Sequence, residues 1–303
     1  MGVGLNATDT LIFVSEFPGS GSKVEVRELK VLPGGQVATA MVACQRWGLR
    51  TRYVGRLGDD LAAKMHASEF AGAGVETQIT TVSGCASAQS FIVVDPHGER
   101  TVLWQRDERL AVQPEELNRE CIVSARALLV DGRDTAAATK AAEWARAAEI
   151  PVIADLDEVY AGIEPLLKNV DYLIVSRDFP AKLTGEANLR ESLPSLQRRF
   201  RSRLTAATLG TDGVLAWDGS RFCYSAAYQV PAVDTTGAGD IFHAGFIYGL
   251  LQNWPLQRNL DFACAAAALN CMATGARGGI RPREKIQELM STGSRYPAAY
   301  DFR

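Results

Sequence analysis

The sequence predicts an α/β fold, a doubly wound and mostly parallel sheet flanked by helices, with a small antiparallel β lid attached. Three observations predict it. From Ala127 onward, short apolar strands alternate with helical stretches, the pattern of strands that helices cover on both faces. Earlier, Gln89 to Val94 and Arg100 to Gln105 flank Asp95-Pro96-His97-Gly98-Glu99, a strong hairpin signal. Two helices rich in small residues each follow a glycine turn, Gly34-Gly35 and Gly237-Ala238-Gly239, which leaves backbone N–H groups uncovered.

In chain order, Val3 to Phe13 is rich in β-formers, but Asn6, Asp9 and Thr10 interrupt the apolar pattern, so Asp9 is expected at or near a strand end. Pro18 to Ser22 makes a turn, and Lys23 to Leu32 alternates Val24, Val26, Leu29 and Val31 with charges, as a half-solvated strand does. Pro33-Gly34-Gly35-Gln36 leads into a helix over Val37–Cys44 that ends around Trp47-Gly48, and Thr51 to Val54 is a short strand running into Gly55-Arg56-Leu57-Gly58-Asp59-Asp60. A helix follows from Leu61 to about Phe70. The lid strands are expected at about 10–16, 23–31, 89–95 and 100–106, inserted in one domain that spans residues 1–303.

The main body is expected from strands at Ala127–Val130, Val152–Ala154, Tyr172–Val175 and Ala206–Leu209, with a helix over Thr135–Ala148. Ligands bind such sheets beyond the strand C-termini. Asp131 and Arg133, Asp155 and Asp157, Ser176 and Arg177, and Gly210 to Gly213 all occupy such positions, although each also fits ordinary turn chemistry. Gly210 to Gly213 leads as a hairpin turn into a strand at Val214–Trp217, and a small-residue helix over Ala263–Thr274 precedes the Gly275–Gly279 turn.

Composition narrows the function. A net charge of −3 argues against a nucleic-acid partner that works by phosphate neutralisation, and leaves room for a small anion in a local pocket. Six scattered cysteines without a Cys-x-x-Cys pair are expected as reduced core residues, and with three histidines no zinc site is expected. Neither a leader nor a membrane-spanning apolar run is found, so a cytoplasmic protein without a membrane partner is expected.

Asp234-Thr235-Thr236-Gly237-Ala238-Gly239-Asp240 precedes an apolar run suited to a buried helix whose positive dipole end faces the turn. Such a corner attracts an anion, and Asp240 beside it is placed to take a proton from a hydroxyl that attacks a phosphate. The alternative is that Asp240 only caps the helix. A dinucleotide fingerprint would need a glycine where Phe242 stands, and no Walker-type Gly-Lys-Ser/Thr occurs.

Three stretches together resemble the ribokinase-like, or PfkB, family of carbohydrate kinases. Gly34-Gly35 through Gly55–Asp60 looks like the family's N-terminal signature, Leu209–Gly213 like its nucleotide loop and Asp234–Asp240 like its C-terminal signature. The resemblance implies a ribokinase-like fold with a β lid and ATP-dependent phosphorylation of a sugar hydroxyl, ketose-type sugars being favoured. It implies Asp240 as catalytic base, with Gly237, Ala238 and Gly239 as the anion hole. Asp9, Gly34, Gly35, Gln36 and Thr39 match positions that hold the sugar. Ser176, Thr208, Gly210, Asp212, Gly213, Cys264 and Asn270 match the nucleotide side. Asp234, Thr236, Asn270, Ala273 and Gly275 match the frame of a monovalent-cation (K+) site.

Two departures from the family pattern are visible. Where many members carry Asn-x-x-Glu to organise Mg2+, this chain has Ser176-Arg177-Asp178-Phe179, which is more similar to the ketohexokinase and sulfofructose-kinase branch. Gln36 stands where ribokinases carry Lys and ketohexokinases Asn. Lys23 and Arg133, if both face the cleft, would suit a sulfonate, carboxylate or phosphate on the substrate, and a neutral ketose if both face outward. The alternatives are a nucleoside kinase of the same fold, with Phe91 and Trp104 lining a slot for the base, and a catalytically weak sugar-binding regulatory relative. Lid edges favour a homodimer.

Overall fold

The computed structural model describes residues 1–95 and 100–300; the expected turn over 96–99 lies outside the described residues. Thirteen strands are present among the described residues: β1 (Gly2–Val3), β2 (Ala7–Val14), β3 (Val26–Gly34), β4 (Arg52–Gly58), β5 (Glu76–Val82), β6 (Gln89–Val94), β7 (Arg100–Gln105), β8 (Leu128–Val130), β9 (Val152–Leu156), β10 (Tyr172–Ser176), β11 (Leu204–Thr208), β12 (Val214–Trp217) and β13 (Phe222–Ser225). The helices are α1 (Gln36–Arg46), α2 (Leu61–Ala73), α3 (Arg119–Val123), α4 (Thr135–Ala147), α5 (Glu164–Leu167), α6 (Phe179–Thr184), α7 (Leu189–Phe200), α8 (Ala238–Leu251), α9 (Leu256–Asn270) and α10 (Arg283–Thr292).

Nine strands form the main sheet in the order β13-β12-β11-β10-β9-β8-β1-β4-β5. Every pairing from β11 to β5 is parallel, and the pairings β11–β12 and β12–β13 are antiparallel, so that β12 alone runs against the rest. Alternate residues of a strand point to opposite faces. Leu129, Ile153, Ile174 and Ala206 therefore join one core with α1, α8 and α9, while Leu128, Val130, Val152, Ala154 and Leu173 join a second with α4 and α7. Helix α8 is apolar around its whole circumference because it lies between α1 and α9. Gly245 permits this: a Cβ there would come within 2.8 Å of Ala263 Cα.

The second sheet is the lid, in the order β3-β2-β6-β7. Its outer pairings β2–β3 and β6–β7 are antiparallel, and the central pair β2–β6 runs parallel. Its two faces differ. Asp9, Ser90, Ile92, Arg100, Val102 and Trp104 face the main sheet across a cleft. On the other face Leu29, Val31, Phe91 and Leu103 are exposed, in register with Thr10, Ile12 and Val93.

Several boundaries differ from the sequence reading. Strand β4 runs on to Gly58 because its glycines admit close neighbours: a Cβ at Gly58 would lie 1.9 Å from Cys85 O. Strand β5, polar and largely exposed, escapes a search for apolar alternation. Helix α9 ends at Asn270, not Thr274, because the Asn270 side chain is consumed in bonding the next turn. Strand β3 starts at Val26, which leaves Lys23 in the exposed segment before it.

Candidate active site

Because β1, β8, β9, β10 and β11 are parallel, their last residues reach one edge of the sheet. The chain departs in opposite directions from β1, to β4 on one side and β8 on the other, and such a switch point opens a crevice. A cleft of about 880 Å3 lies between that crevice and the lid.

Two glycine turns shape its floor. Gly34 faces Asp9 so closely that any side chain there would have to displace the carboxylate, and Gly35, at φ 90°, starts α1. Burial pushes the Asp9 carboxyl up to about 6, against the pull of Arg277 and a hydrogen bond with Ser90. Gln36, first in α1, lines the cleft, and its Oε1 is buried without a hydrogen-bond partner among the described residues.

Across the cleft, Gly237 caps α8 at φ 76°, where a Cβ would come within 2.6 Å of the Ala276 backbone. Beneath it, Asp234 accepts hydrogen bonds from Thr236 N (2.8 Å) and Gly275 N (2.7 Å). Asn270, fully buried, donates to Thr236 O (3.3 Å) and Ala276 O (3.0 Å) and accepts from Gly279 N (3.1 Å). The turn is thus held rigidly with its N–H groups at the positive end of α8. Asp240, in the first turn of that helix, is half-buried and faces the cleft. Burial pushes its carboxyl well above the usual range, the Asp155 charge adds to this, and His243 opposes it.

Arg133 also enters the cleft. Its backbone N donates to Asp131 (3.1 Å), and its guanidinium lies over the rings of Trp104 (4.5 Å) and Tyr160 (5.3 Å). Its Nε is buried without a hydrogen-bond partner among the described residues. Lys23 is exposed and absent from the cleft lining, so the pair expected from the sequence is divided. Phe91 and Trp104 are divided too: Trp104 is opposite Ser90 in register and Phe91 opposite Leu103, so the two rings occupy opposite faces of the lid.

Further along the sheet edge lie Ser176 and Thr208, whose hydroxyls donate to Asp157 O (3.2 Å) and Val175 O (3.3 Å). The Gly210–Asp212 turn is fixed by Arg177, which donates to Leu209 O (2.6 Å) and Asp212 (2.5 Å). At Gly213, φ 85°, a Cβ would lie 2.0 Å from Ser225 O. Three expected contacts are not available. Cys264 is buried, its thiol directed at Ser225 O (3.9 Å) and pushed up to about 12 by burial, so it packs the core. Thr39 is buried and accepts from Arg277 Nε (3.1 Å). Asn270 braces the turn and has no face left for a nucleotide.

Sequence reasoning passed over Arg277 and His243. The buried Arg277 guanidinium reaches from the Gly275–Gly279 turn to Gly34 O (2.6 Å) and pairs with Glu69, so it joins the two glycine turns. A lone arginine between glycines carries no signal of burial.

A family profile for pfkB family carbohydrate kinase matches residues 3–282. The chain belongs to that family. As a PfkB-family chain it is 25% identical over 297 residues to the ribokinase of Bacillus subtilis, covering 95% of this chain and 98% of that one. It is 26% identical over 261 residues to the 5-dehydro-2-deoxygluconokinase of Geobacillus kaustophilus, covering 78% of each. A crystal structure assigned provisionally as a ribokinase from Agrobacterium tumefaciens superposes with TM-score 0.87, 30% identity and 96% of each chain. More distant folds include the ribokinase of Arabidopsis thaliana, solved with ribose and ATP (TM-score 0.82, 21% identity, 96% of this chain and 98% of that one). Another, described as Ribokinase II from E. coli, holds ATP and Mg2+ (TM-score 0.83, 16% identity, 96% and 98%). The PfkB chain is a sugar kinase by family, with a mostly parallel sheet and a separate lid as the family fold. None of its helices among the described residues is long and apolar enough to cross a membrane.

Proposed function

We propose that this kinase transfers the terminal phosphoryl group of ATP to a hydroxyl of a small ketose-type sugar, with Asp240 as general base and the Gly237–Gly239 turn as anion hole. The observation that carries the reading is the approach of two turns across one cleft. Asp9 and Gly34-Gly35 form one wall, and Asp240 at the positive end of α8 forms the other. Asp9, a carboxylate with two acceptor oxygens, orients sugar hydroxyls. Asp240 removes the proton from the attacking hydroxyl, and its raised pKa suits a group that must take a proton near neutral pH. The N–H groups at the start of α8 stabilise charge on the transferring phosphoryl, and lid closure excludes water.

ATP lies along Thr208, Gly210, Asp212 and Gly213 in this reading, with its terminal phosphate reaching Gly237. Mg2+ comes with the triphosphate. Ser176 and Arg177 are engaged with backbone and Asp212, and no cluster of three or more His, Cys, Asp or Glu suited to a metal is found among the described residues. K+ is proposed beside the Asp234, Thr236, Asn270, Ala273 and Gly275 turn, and a K+ titration of turnover tests it. The exposed apolar face of the lid supports a homodimer. Six free cysteines fit a reducing cytoplasm.

Arg133 supports a substrate that carries an anionic group, since its guanidinium is oriented by two rings and faces the cleft. The separation of Phe91 from Trp104 speaks against a nucleoside slot. The deciding experiment is ADP release with a panel of neutral ketoses, pentoses, nucleosides and acidic sugars, on the native protein and R133M. Stimulation by a sugar supports the kinase reading; stimulation by nucleosides alone overturns it.

A further inference from the structure

His243 lies on α8 one turn beyond Gly239, and it is buried. Its Nδ1 is 2.8 Å from Gly239 O and 3.2 Å from Asp155 Oδ2, and its Nε2 is 3.3 Å from Ile174 O. Gly239 O and Ile174 O can only accept, and Asp155 Oδ2 accepts when its carboxyl is ionised. A neutral imidazole has a single N–H, so its other nitrogen would press a lone pair against a carbonyl oxygen; an imidazolium donates from both. Asp155 supplies the counter-charge when ionised: its Oδ2 lies within ion-pair distance of the ring (3.2 Å) and has no hydrogen-bond partner among the described residues, so the approach is a charge contact and not a hydrogen bond. A buried charge persists where it is paired and hydrogen-bonded, and His243 has both.

We propose that His243 is held as an imidazolium in a buried ion pair with Asp155, and that this pair positions the anion hole and Asp240. The ring pins the carbonyl of Gly239, which belongs to the peptide joining Gly239 to Asp240. It therefore fixes the helix start and the backbone of the base together. Asp155 also touches Gln36 on the opposite wall, so the pair spans the floor between the two glycine turns.

The surrounding charges are named as follows. Asp131 after β8 and Asp157 after β9 face Asp155, while Asp9 on β2 and Arg100 on β7 act on Asp240 from the lid. Burial holds the His243 pKa below its ordinary value, against its backbone acceptors and Asp240, and burial with the Asp157 and Asp131 charges pushes the Asp155 carboxyl well above its own; the two carbonyl acceptors on the ring and the 3.2 Å approach of the carboxyl are what favour the charged pair. With carboxyl groups crowded on this floor, the imidazolium and Arg100 oppose the upward push on the Asp240 pKa, His243 more strongly.

The protonation state is independent of the kinase reading; the positioning role rests on it. Nitrogen-15 NMR of the histidine rings in the full chain at pH 7 reads the first directly. His243, identified by the signal lost in H243Q, is expected to carry protons on both nitrogens. His66 serves as a neutral reference, since it is packed against Thr8 Oγ1 (2.9 Å) and burial lowers it to about 3. A singly protonated His243 ring at pH 7 overturns the ion pair.

The role is read in H243Q kinetics. Turnover is expected to fall about ten-fold, less than the hundred-fold or more lost with a direct oxyanion donor. The acid limb of kcat/KM is expected to move up by about one pH unit as Asp240 loses its positive neighbour, with the sugar KM within about two-fold. A lower melting temperature with turnover and acid limb unmoved overturns positioning. If the native chain phosphorylates no sugar, the kinase reading fails while the NMR result stands.

Discussion

Asp9 and Gly34 are diagonal neighbours on paired lid strands, so close that a Cβ on residue 34 would lie 1.9 Å from Asp9 Oδ2. The glycine is needed for space, since its φ is not in the left-handed region. G34A must therefore displace the carboxylate. The sugar KM is expected to rise about 100-fold, comparable to the loss of a charged hydrogen-bonding group, with ATP binding little changed. A sugar titration with an unaltered KM contradicts the assignment of Asp9.

Asp9 also carries a stability cost. Its carboxyl is pushed from the ordinary 3.8 up to about 6, so between those values the folded chain keeps a proton that the unfolded chain has released. Stability declines as pH rises through that window and stays lower above it. D9N removes the decline and is expected to be more stable than the native chain at pH 7.5 by about 2 kcal/mol, while losing sugar affinity. Denaturant melts at pH 4 and pH 7.5 check the sign: the gain must shrink at the lower pH.

D240N tests the base. Loss of general-base catalysis costs about 100-fold to 10,000-fold in turnover. Nucleotide affinity, measured by calorimetry, is expected to stay within about three-fold because, among the described residues, the turn is held by Asp234 and Asn270. In the native enzyme kcat/KM should rise with pH, its midpoint well above the 3.8 of an ordinary aspartate. Turnover near the native level in D240N removes Asp240 from the mechanism.

The lid face bearing Leu29, Val31, Phe91 and Leu103 gives a fourth expectation. Replacing Leu29 and Leu103 by Asp places charge on that face without touching the cleft. Sedimentation should then show a monomer where the native chain is a dimer. A native chain that is monomeric at micromolar concentration rules out the lid interface.

The alternation of strand and helix after Ala127 was legible because strands buried on both faces leave short apolar runs, as in β9 and β10. The glycine turns were legible because backbone close approach admits one residue type, as at Gly34 and Gly237. What could not be read was direction. Thr39 and Cys264 occupy positions that the resemblance marks for ligands, yet their side chains turn to Arg277 and Ser225. Nor could chemistry assembled across the chain be seen: His243 and Asp155 are 88 residues apart in sequence (243 less 155) and meet only through packing.

The lid reads differently from its two sides. Successive residues of β7 lie on separate faces, with Trp104 over Arg133 in the open cleft and Leu103 on the outer face, although both are exposed. Inserting or deleting one residue there would send the tryptophan outward and the leucine inward. In the proposed reading, substrate preference and self-association are thus tied to one strand register, and evolution can adjust either by point substitution but neither by changing the length of that strand.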